Sequence, residues 1–401
     1  IVVPSDRTLV DQSSLIVAGS VLATTPAPET PRTDVLISVS ASLKGEPGSP
    51  TITVRIPGGE TPDGMRLRVW GTPRFEAGQE VLLFLGPRRD HVHRPLHLSV
   101  GVFHLTGTGQ GGYAIRDFGE AAIISYADDN SPDGSLIRRR DAFVSWIIER
   151  VDGHDRPAHY WEAPSPYLSA QAPFTLFRSP TSGLNMRWFA FQEGDSVSWY
   201  MQLPDFGPGS PTLAQLEHAV AAWNEAPGTL IRYDAAGATD ATNGLEDFDG
   251  INAVIFGDPN DEVEGTFSCS LGGVLAIGGP WFGSSKFPFR EREVHRTIGA
   301  DIIMNDGIEC AVGTPNSLKN LEEVIAHELG HTLGFGHSCG DDKSGKCSSG
   351  SVQADALMRT TAHHDGRGAK LNSDDIAAAV ELYPEPVSTP TPTRRRTVTR
   401  P

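Results

Sequence analysis

Hydrophobic and polar residues alternate in the first third of the chain, a pattern typical of strands with one buried face. The alternation runs through residues 35–43 and 52–56, and residues 81–85 form a short apolar run between two glycines. Further strands are predicted over residues 15–22 and 100–105. Because Gly/Pro turns separate these short strands, we predict a small all-β domain, a barrel or sandwich, over residues 1–122.

A helical period follows this strand-rich region. Apolar residues within residues 137–147 recur at helical spacing, which predicts one amphipathic helix over residues 138–150, and we interpret its arginines as a solvated face. Residues 164–182 are rich in Pro, Ser and Ala and are predicted to cross a surface. We therefore interpret residues 123–183 as a connector.

Beyond residue 184, strands and helices are interspersed. The predicted strands are residues 197–201, 229–233, 253–256, 274–277 and 302–304. Ser210 and Pro211 favour the start of a first helix, because a capping side chain precedes a proline at the first helical position. A second helix is predicted over residues 318–333. A third begins near Ser373 and ends at Pro384, and the Pro/Thr/Arg-rich tail of residues 385–401 is predicted to be disordered.

Length and charge narrow the class of protein. A chain of 401 residues is long enough for two folded units. Its formal net charge of −17 argues against nucleic-acid binding, which needs a basic face. No apolar run has the length required to span a bilayer, so we expect no membrane insertion. The first residue is Ile1, which fits a mature protein whose leader was removed.

Four cysteines lie in the second half of the chain. An even number is consistent with two disulfides and an oxidising, extracellular compartment. We favour Cys339–Cys347, which closes a short loop, together with Cys269–Cys310. The alternative is four free thiols in a cytosolic protein. A cysteine-based zinc site is disfavoured because the chain has no C-x-x-C pair.

Around the C-terminal end of the predicted second helix, the sequence His327-Glu328-x-x-His331-x-x-Gly334-x-x-His337 has the spacing of a zinc site. Histidines four apart project from one side of a helix. Gly334 permits a sharp turn that brings back His337 as a third ligand, and a fourth position is left for water. Glu328 can then act as general base toward that water. The alternative is a run of surface histidines on an ordinary helix.

Two further features accompany the motif. Met358 follows His337 by 21 residues, in a stretch where a turn can pass beneath the metal. Residues 371–383 supply the last predicted helix. A lone methionine is more often an ordinary core residue. Met358 therefore supports a zinc site only in combination with the histidines.

Together, residues 327–338, Met358 as a Met-turn and residues 371–383 resemble the metzincin metalloproteases, and among them the matrixin branch. The resemblance covers about residues 184–384. It implies an α+β zincin fold with a twisted five-stranded mixed sheet, an active-site helix and a C-terminal helix, preceded here by the all-β domain. It also implies an extended peptide substrate, bound antiparallel to an edge strand near residues 274–277.

The chain departs from the matrixin pattern in its metal sites. The places of the family's second, structural zinc are taken by Ile277 and Ile303, which cannot ligate a metal, so we expect one catalytic Zn²⁺. Ca²⁺ is a further cofactor that the resemblance suggests, with Asp306 and Glu309, beside Asn305, as candidate ligands. Ordinary surface acids are the alternative.

Latency also departs from the family. No cysteine precedes Cys269, so the family's cysteine switch is absent. The N-terminal domain resembles netrin-like or OB-like modules, and it is left open whether it blocks the cleft, binds substrate or spaces the enzyme. We interpret His91, His93 and His97 of this domain as surface residues, because Pro95 interrupts their alternation.

The sequence thus predicts a secreted, monomeric zinc endopeptidase that acts on protein or peptide substrates. Residues 359–368, including His363 and His364, are candidates for lining its substrate pocket. Two alternatives remain: a zinc hydrolase that does not cleave peptides, and a non-catalytic adhesion or binding protein with a metzincin-like module. The retention of Glu328 disfavours the second alternative.

Overall fold

The computed structural model describes residues 2–28, 30–107, 112–116, 125–126, 137–161, 174–207, 210–312, 317–340, 344–345, 347–363 and 365–386. From residue 387 onward, the tail predicted to be disordered lies outside the described residues. The same holds for residues 162–173 of the predicted connector and for His364.

Within the described residues the chain forms seven α-helices and seventeen strands. The helices are α1 (Asp6–Gln12), α2 (Arg140–Val151), α3 (Ala190–Glu193), α4 (Leu213–Asn224), α5 (Glu309–Val312), α6 (Ser317–Thr332) and α7 (Ser373–Leu382). The strands are β1 (Val2–Val3), β2 (Leu15–Pro26), β3 (Arg32–Lys44), β4 (Thr51–Pro57), β5 (Gly59–Glu60), β6 (Met65–Leu67), β7 (Glu80–Leu85), β8 (Val102–Thr106), β9 (Tyr113–Arg116), β10 (Ser125–Tyr126), β11 (Ile137–Arg139), β12 (Asn185–Arg187), β13 (Val197–Met201), β14 (Tyr233–Ala238), β15 (Asn252–Phe256), β16 (Ala276–Phe289) and β17 (Arg292–Met304).

The N-terminal strands form a seven-stranded antiparallel sheet in the order β11-β9-β8-β7-β2-β3-β4. Val17, Val35 and Val81 belong to an apolar cluster that the alternation predicted. Phe84 and Phe103 belong to a second cluster, in which they pack with α2. The strand predicted from residue 100 begins instead at Val102, because the preceding four residues form a 3₁₀ turn.

The prediction of a solvated arginine face is wrong for Arg138. This residue lies on β11, is 2% exposed and donates to both carboxylate oxygens of Asp6, at 3.1 and 3.0 Å. Arg116 and the Tyr160 hydroxyl also donate to Asp6. Burial alone would raise the pKa of Asp6, but the two guanidinium groups bring it below its usual value. Because a buried carboxylate needs such partners, this cluster ties α1 to the sheet.

The three N-terminal histidines also differ from their prediction as surface residues. His93 and His97 are 5% and 0% exposed, and only His91 is exposed. Nε2 of His97 lies 3.2 Å from Oε1 of Gln12, and Nδ1 of His93 lies 3.4 Å from the carbonyl oxygen of Gly86. These contacts are typical of core histidines that pack between strands and loops.

The second sheet is mixed, in the order β14-β13-β15-β17-β16-β6-β5, with β12 also paired to β17. β13 runs parallel to β14 and β15, and β15 runs parallel to β17. β16 and β6 continue the sheet in antiparallel pairs. The protein is therefore mixed α+β, as predicted, but this sheet has eight strands instead of five. The extra strands are β12, which pairs on β17, and β5 and β6, which come from the N-terminal part of the chain.

Helices α4, α6 and α7 enclose a second large core against this sheet. Trp199, Trp223 and Leu329 are each 0% exposed within it. The indole N–H of Trp223 donates to the carbonyl of Ala326 at 2.8 Å, which fixes α4 against α6. This packing holds α6 rigidly over the sheet.

Several predicted boundaries are displaced in this half of the chain: β16 begins at Ala276 and not at residue 274, and β17 begins at Arg292 and not at residue 302. Helix α4 starts at Leu213, not at Ser210–Pro211, because Thr212 forms a capping box with Gln215. The strand predicted over residues 229–233 begins only at Tyr233, since the backbone of Thr229 instead forms an isolated bridge with Pro384.

The cross-links agree with the predicted pairing. Disulfides join Cys269 to Cys310 and Cys339 to Cys347, the pairing that we favoured. The first joins the loop before β16 to α5, and the second closes the loop after His337. None of the helices in the described ranges combines the length and apolarity that a bilayer span requires.

Candidate metal centre

Helix α6 carries His327, Glu328 and His331. Its core-facing positions include Leu321, Ile325 and Leu329, which are at most 2% exposed. This apolar spacing explains why the segment is helical and why it is fixed against the sheet. The two histidines, four residues apart, project from an adjacent face of the same helix.

The helix ends in a turn that returns the chain toward the histidines. Gly334 has φ of +95°, and the amide of Phe335 donates to the carbonyl of Gly330 at 3.1 Å. The amide of Gly334 donates to the carbonyl of His331 at 2.9 Å. These two bonds form a Schellman motif, which requires the left-handed conformation that glycine adopts without strain. The turn brings His337 beside the helix.

Substitution of Gly334 by alanine should destabilise the fold more than the backbone conformation alone explains. A left-handed non-glycine residue costs about 1–2 kcal/mol, and a Cβ here would lie 2.5 Å from the carbonyl oxygen of Met186. Gly194→Ala is the matched control, because Gly194 has φ of +90° and open space around its Cβ position. Urea denaturation should show a clearly larger loss for Gly334→Ala. Equal losses would mean that the close approach to Met186 does not exist.

The three histidines converge on one point. One ring nitrogen from each lies within 4.8 Å of the others, and no other group of three or more His, Cys, Asp or Glu side chains among the described residues does so. The ring centroids of His327 and His331 are 4.5 Å apart, and His337 lies 5.3 and 5.0 Å from them. All three residues are buried. This group can hold a metal ion.

Hydrogen bonds set the tautomers of the two helical histidines. Nδ1 of His327 lies 2.9 Å from the carbonyl oxygen of Leu357, and Nδ1 of His331 lies 2.8 Å from that of Phe335. Since a carbonyl only accepts, Nδ1 carries the proton and Nε2 keeps its lone pair. Both Nε2 atoms are buried without a hydrogen-bond partner. Burial lowers the pKa of His327 to about 3 and that of His331 far below its usual value, so both rings are neutral.

Glu328 lies beside this group with its carboxylate in a buried position. It is 5% exposed, and its Oε2 has no hydrogen-bond partner. A Cβ on Gly278 would lie 3.3 Å from this oxygen, so the carboxylate faces the backbone of β16. Burial raises the pKa of Glu328 to about 7. A carboxylate with this pKa is suited to accept and release a proton near neutral pH.

Met358 and its neighbours form a turn under the histidines. The carbonyl of Leu357 accepts from His327, and the carbonyl of Met358 accepts from the amide of Ser338 at 2.7 Å. The Met358 side chain is 1% exposed, and its sulfur occupies the space that a Cβ on Gly330 would need. The turn thus contacts both the helix and the loop that carries His337.

Asp375, in the first turn of α7, supports that turn through its carboxylate. It accepts the amides of Leu357 and Met358, each at 2.9 Å, and the amide of Asn372 at 2.8 Å. The residue is 0% exposed. The sequence predicted Asp375 only as part of the helix that begins near Ser373. Leu357 and Met358 precede Asp375 by 18 and 17 positions in the sequence, so no local pattern indicates this contact.

The substitution Asp375→Asn should loosen this support. Asparagine would turn an N–H₂ group toward backbone amides, and a buried unsatisfied donor costs about 1–3 kcal/mol. Asp374→Asn is the control, since Asp374 shares the helix turn but accepts only the longer bonds from Phe174 and Gln353, at 3.3 and 3.1 Å. Thermal unfolding should show the greater loss for Asp375→Asn. An equal or smaller loss would contradict the supporting role.

Phe177 and Trp70 form an aromatic wall over His331. Their ring centroids lie 5.3 and 4.9 Å from that of His331 and 3.8 Å from each other. Neither residue was connected with the site by sequence reasoning. The prediction that residues 164–182 cross a surface is wrong at Phe177, which is 2% exposed. The amide of Phe177 donates to the carbonyl of Gly334 at 2.9 Å, so this stretch pairs with the turn after α6.

Strand β6 lies along β16 at the edge of the same site. Residues 65–67 pair antiparallel with residues 281–283. The amides of Arg68 and Trp70 then donate to the carbonyls of Pro280 and Gly278, each at 3.3 Å. The edge of β16 is therefore covered from residue 278 onward, directly beyond the expected edge strand near residues 274–277, because a segment of the N-terminal region adds to the sheet there.

The other candidate site residues are placed apart from the histidines. The side-chain amide of Asn305 donates to the carbonyls of Gly265 and Val274, at 2.9 and 2.7 Å, whereas Asp306 and Glu309 are exposed. Ile277 and Ile303 are paired across β16 and β17 within an apolar cluster.

His363, in the predicted pocket lining, has a hydrogen-bond partner on α6. Its Nδ1 lies 2.6 Å from Oε1 of Glu323, and its amide donates to the same oxygen at 2.7 Å. This pair joins the segment after the Met358 turn to the helix that carries the motif.

Comparisons with known proteins add no relative to this picture. No protein-family model matches the chain, and no curated protein matches it significantly.

Proposed function

We propose that this protein is a secreted zinc metalloendopeptidase of the metzincin type, related to matrixins. The observation that carries the proposal is the convergence of three buried imidazoles beside a buried carboxylate whose pKa is raised to about 7. The Schellman turn at Gly334 and the turn at Met358 support the same assignment, because both hold the histidines in place.

The donor set fits Zn²⁺. Two neutral Nε2 atoms have their lone pairs directed into the site, and three histidine ligands leave one position of a tetrahedral metal open. Hydrogen bonds from Nδ1 to backbone carbonyls are the usual outer-shell support of such ligands. When bound, zinc would supply a Lewis acid that polarises a carbonyl and acidifies a water molecule.

Glu328 would move the proton in peptide hydrolysis. Its Oε2 faces the backbone of β16 and has no hydrogen-bond partner among the described residues. The carboxylate would take a proton from the attacking water and release it to the departing amine, so that the peptide bond breaks without a covalent enzyme intermediate. The buried surroundings match this role, because they favour a carboxyl group that is readily protonated.

The sheet beside the site suits an extended substrate. Where residues 65–70 do not occupy its edge, the backbone of β16 could pair with a peptide strand in the antiparallel sense, which is a common mode of peptide recognition. Two disulfides are typical of proteins from an oxidising compartment and support secretion. We expect protein or peptide substrates and a monomeric enzyme.

A quenched-peptide library with and without a zinc chelator tests the proposal. Because Trp70 lies over His331, the zinc-loaded chain is assayed both intact and after removal of the segment that contains Trp70. We expect internal peptide bonds to be cut, and we expect the chelator to stop the cleavage. Cleavage of simple esters without cleavage of peptides would favour a different zinc hydrolase. Absence of any hydrolysis by zinc-loaded protein in both forms would contradict an enzymatic role.

A further inference from the structure

Residues 58–79, which we call the cleft segment, leave the N-terminal sheet and join the other one. They connect β4 to β7, which both belong to the seven-stranded sheet. Between these strands, β5 and β6 pair with each other, and β6 pairs with β16 of the eight-stranded sheet. A direct connection between β4 and β7 would not need this excursion.

The cleft segment occupies the edge of β16 directly beyond residues 274–277, where the substrate strand is expected to pair. It runs antiparallel to residues 278–283, the sense expected for a bound peptide strand. A Cβ on Gly279 would clash with the carbonyl oxygen of Arg68. The fit is therefore close, and a second strand has no room on this stretch of β16 while the segment is in place.

Trp70 is the residue through which the cleft segment contacts the histidine group. It is 3% exposed, its ring centroid lies 4.9 Å from that of His331, and it stands edge-on against Phe177. Together with Phe177, Met186 and Phe282 it forms a small apolar cluster. His327, Glu328, His331 and His337 are only 6%, 5%, 1% and 0% exposed. A substrate carbonyl cannot approach these groups unless a covering element moves.

We propose that the cleft segment is an autoinhibitory element that holds the substrate cleft closed, and that its displacement or proteolytic removal activates the enzyme. This inference rests on the proposed function. It assigns to part of the N-terminal region the role of blocking the cleft. Residues 62–63 and 76–78 are exposed, so proteases can reach both ends of the segment.

The test cuts the cleft segment from folded protein. Recognition sequences for a specific protease are inserted at residues 62–63 and 77–78 of the full chain, and chains with a single site are the controls. Cutting at both sites followed by gel filtration should raise kcat/KM for a quenched peptide by about tenfold or more, because an intramolecular inhibitor acts at millimolar effective concentration. A synthetic peptide of residues 64–77, added back, should bind the cut chain by fluorescence anisotropy and inhibit it.

Trp70→Ala tests the same contact without a cut, and Trp161→Ala removes an indole from the N-terminal region as its control. We expect only Trp70→Ala to raise activity at unchanged zinc content. Equal activity of the zinc-loaded chain before and after double cutting, with no binding of the added peptide, would overturn autoinhibition and leave the peptidase assignment intact. Zinc-loaded protein that cleaves nothing in either form would instead refute the proposed function, and the inference with it.

Discussion

Glu328→Gln will lower kcat of the activated, zinc-loaded protein by about 10³-fold or more, the upper range for loss of a general base. Glutamine keeps the size of the side chain but cannot take a proton from water. The Oε2 atom has no hydrogen-bond partner in the described structure, so no ion pair is lost and the fold should be kept. Zinc content, measured by elemental analysis, should stay at one ion per chain.

Glu322→Gln is the matched control for this change. Glu322 lies on the same helix and is 2% exposed, close to the 5% of Glu328, but it pairs with Lys319 and His218. Its substitution should leave kcat within a factor of a few. If Glu328→Gln retained the activity of Glu322→Gln, the general base would have to be another group.

His331→Ala will remove metal binding. Loss of one of three imidazoles should weaken zinc affinity by on the order of 10³-fold or more, beyond the 10–100-fold that outer-shell changes cost. His295→Ala is the control, because His295 is also 0% exposed but contacts Ser182 and the carbonyl of Ser285 instead of the histidine group. Zinc titration with a competing chromophoric chelator should show tight binding only for the control and the unaltered chain.

The same substitution should also change how chelation affects stability. A ligand bound only by the native state at 1,000 times its Kd adds about 4 kcal/mol. A chelator should therefore lower the unfolding temperature of the unaltered protein and of His295→Ala, but not that of His331→Ala. An equal shift in all three would show that the bound metal sits elsewhere.

The local pattern of apolar and polar residues was sufficient to predict the helix that carries the histidine motif and most of the N-terminal strands. The predicted range 318–333 differs from α6 by one residue at each end, because Leu321, Ile325 and Leu329 recur at helical spacing. The alternation in residues 35–43 and 52–56 marked β3 and β4 for the same kind of reason. In both cases a single buried face sets the spacing of the apolar side chains, and this spacing can be read directly from the sequence.

Long-range contacts were not predictable in this way. Arg138 was assigned to a solvated face because its partner Asp6 lies 132 positions away. Trp70 and Phe177 reach His331 from separate parts of the chain, and neither has a motif that marks it. β6 joins β16 although each reads as part of a different domain. These contacts depend on how the two sheets pack against each other. The periodicity of residues within one segment does not show that packing.

The site lies between these two cases. The spacing of His327, His331 and His337 and the glycine between them predicted the convergence, since the helix and its terminating turn are local structures. What supports the site, namely Asp375 and the 357–358 turn, depends on tertiary packing. Positions and types of the chemical groups could therefore be read from the sequence, but their covering and support could not.

X-ray absorption at the zinc edge on the purified full chain tests most directly whether three imidazoles hold one metal ion. We expect one zinc per chain, with a first shell of nitrogen and oxygen at about 2.0–2.1 Å and the multiple scattering of histidine rings. A shell of sulfur at about 2.3 Å, or protein that takes up no zinc, would contradict the account.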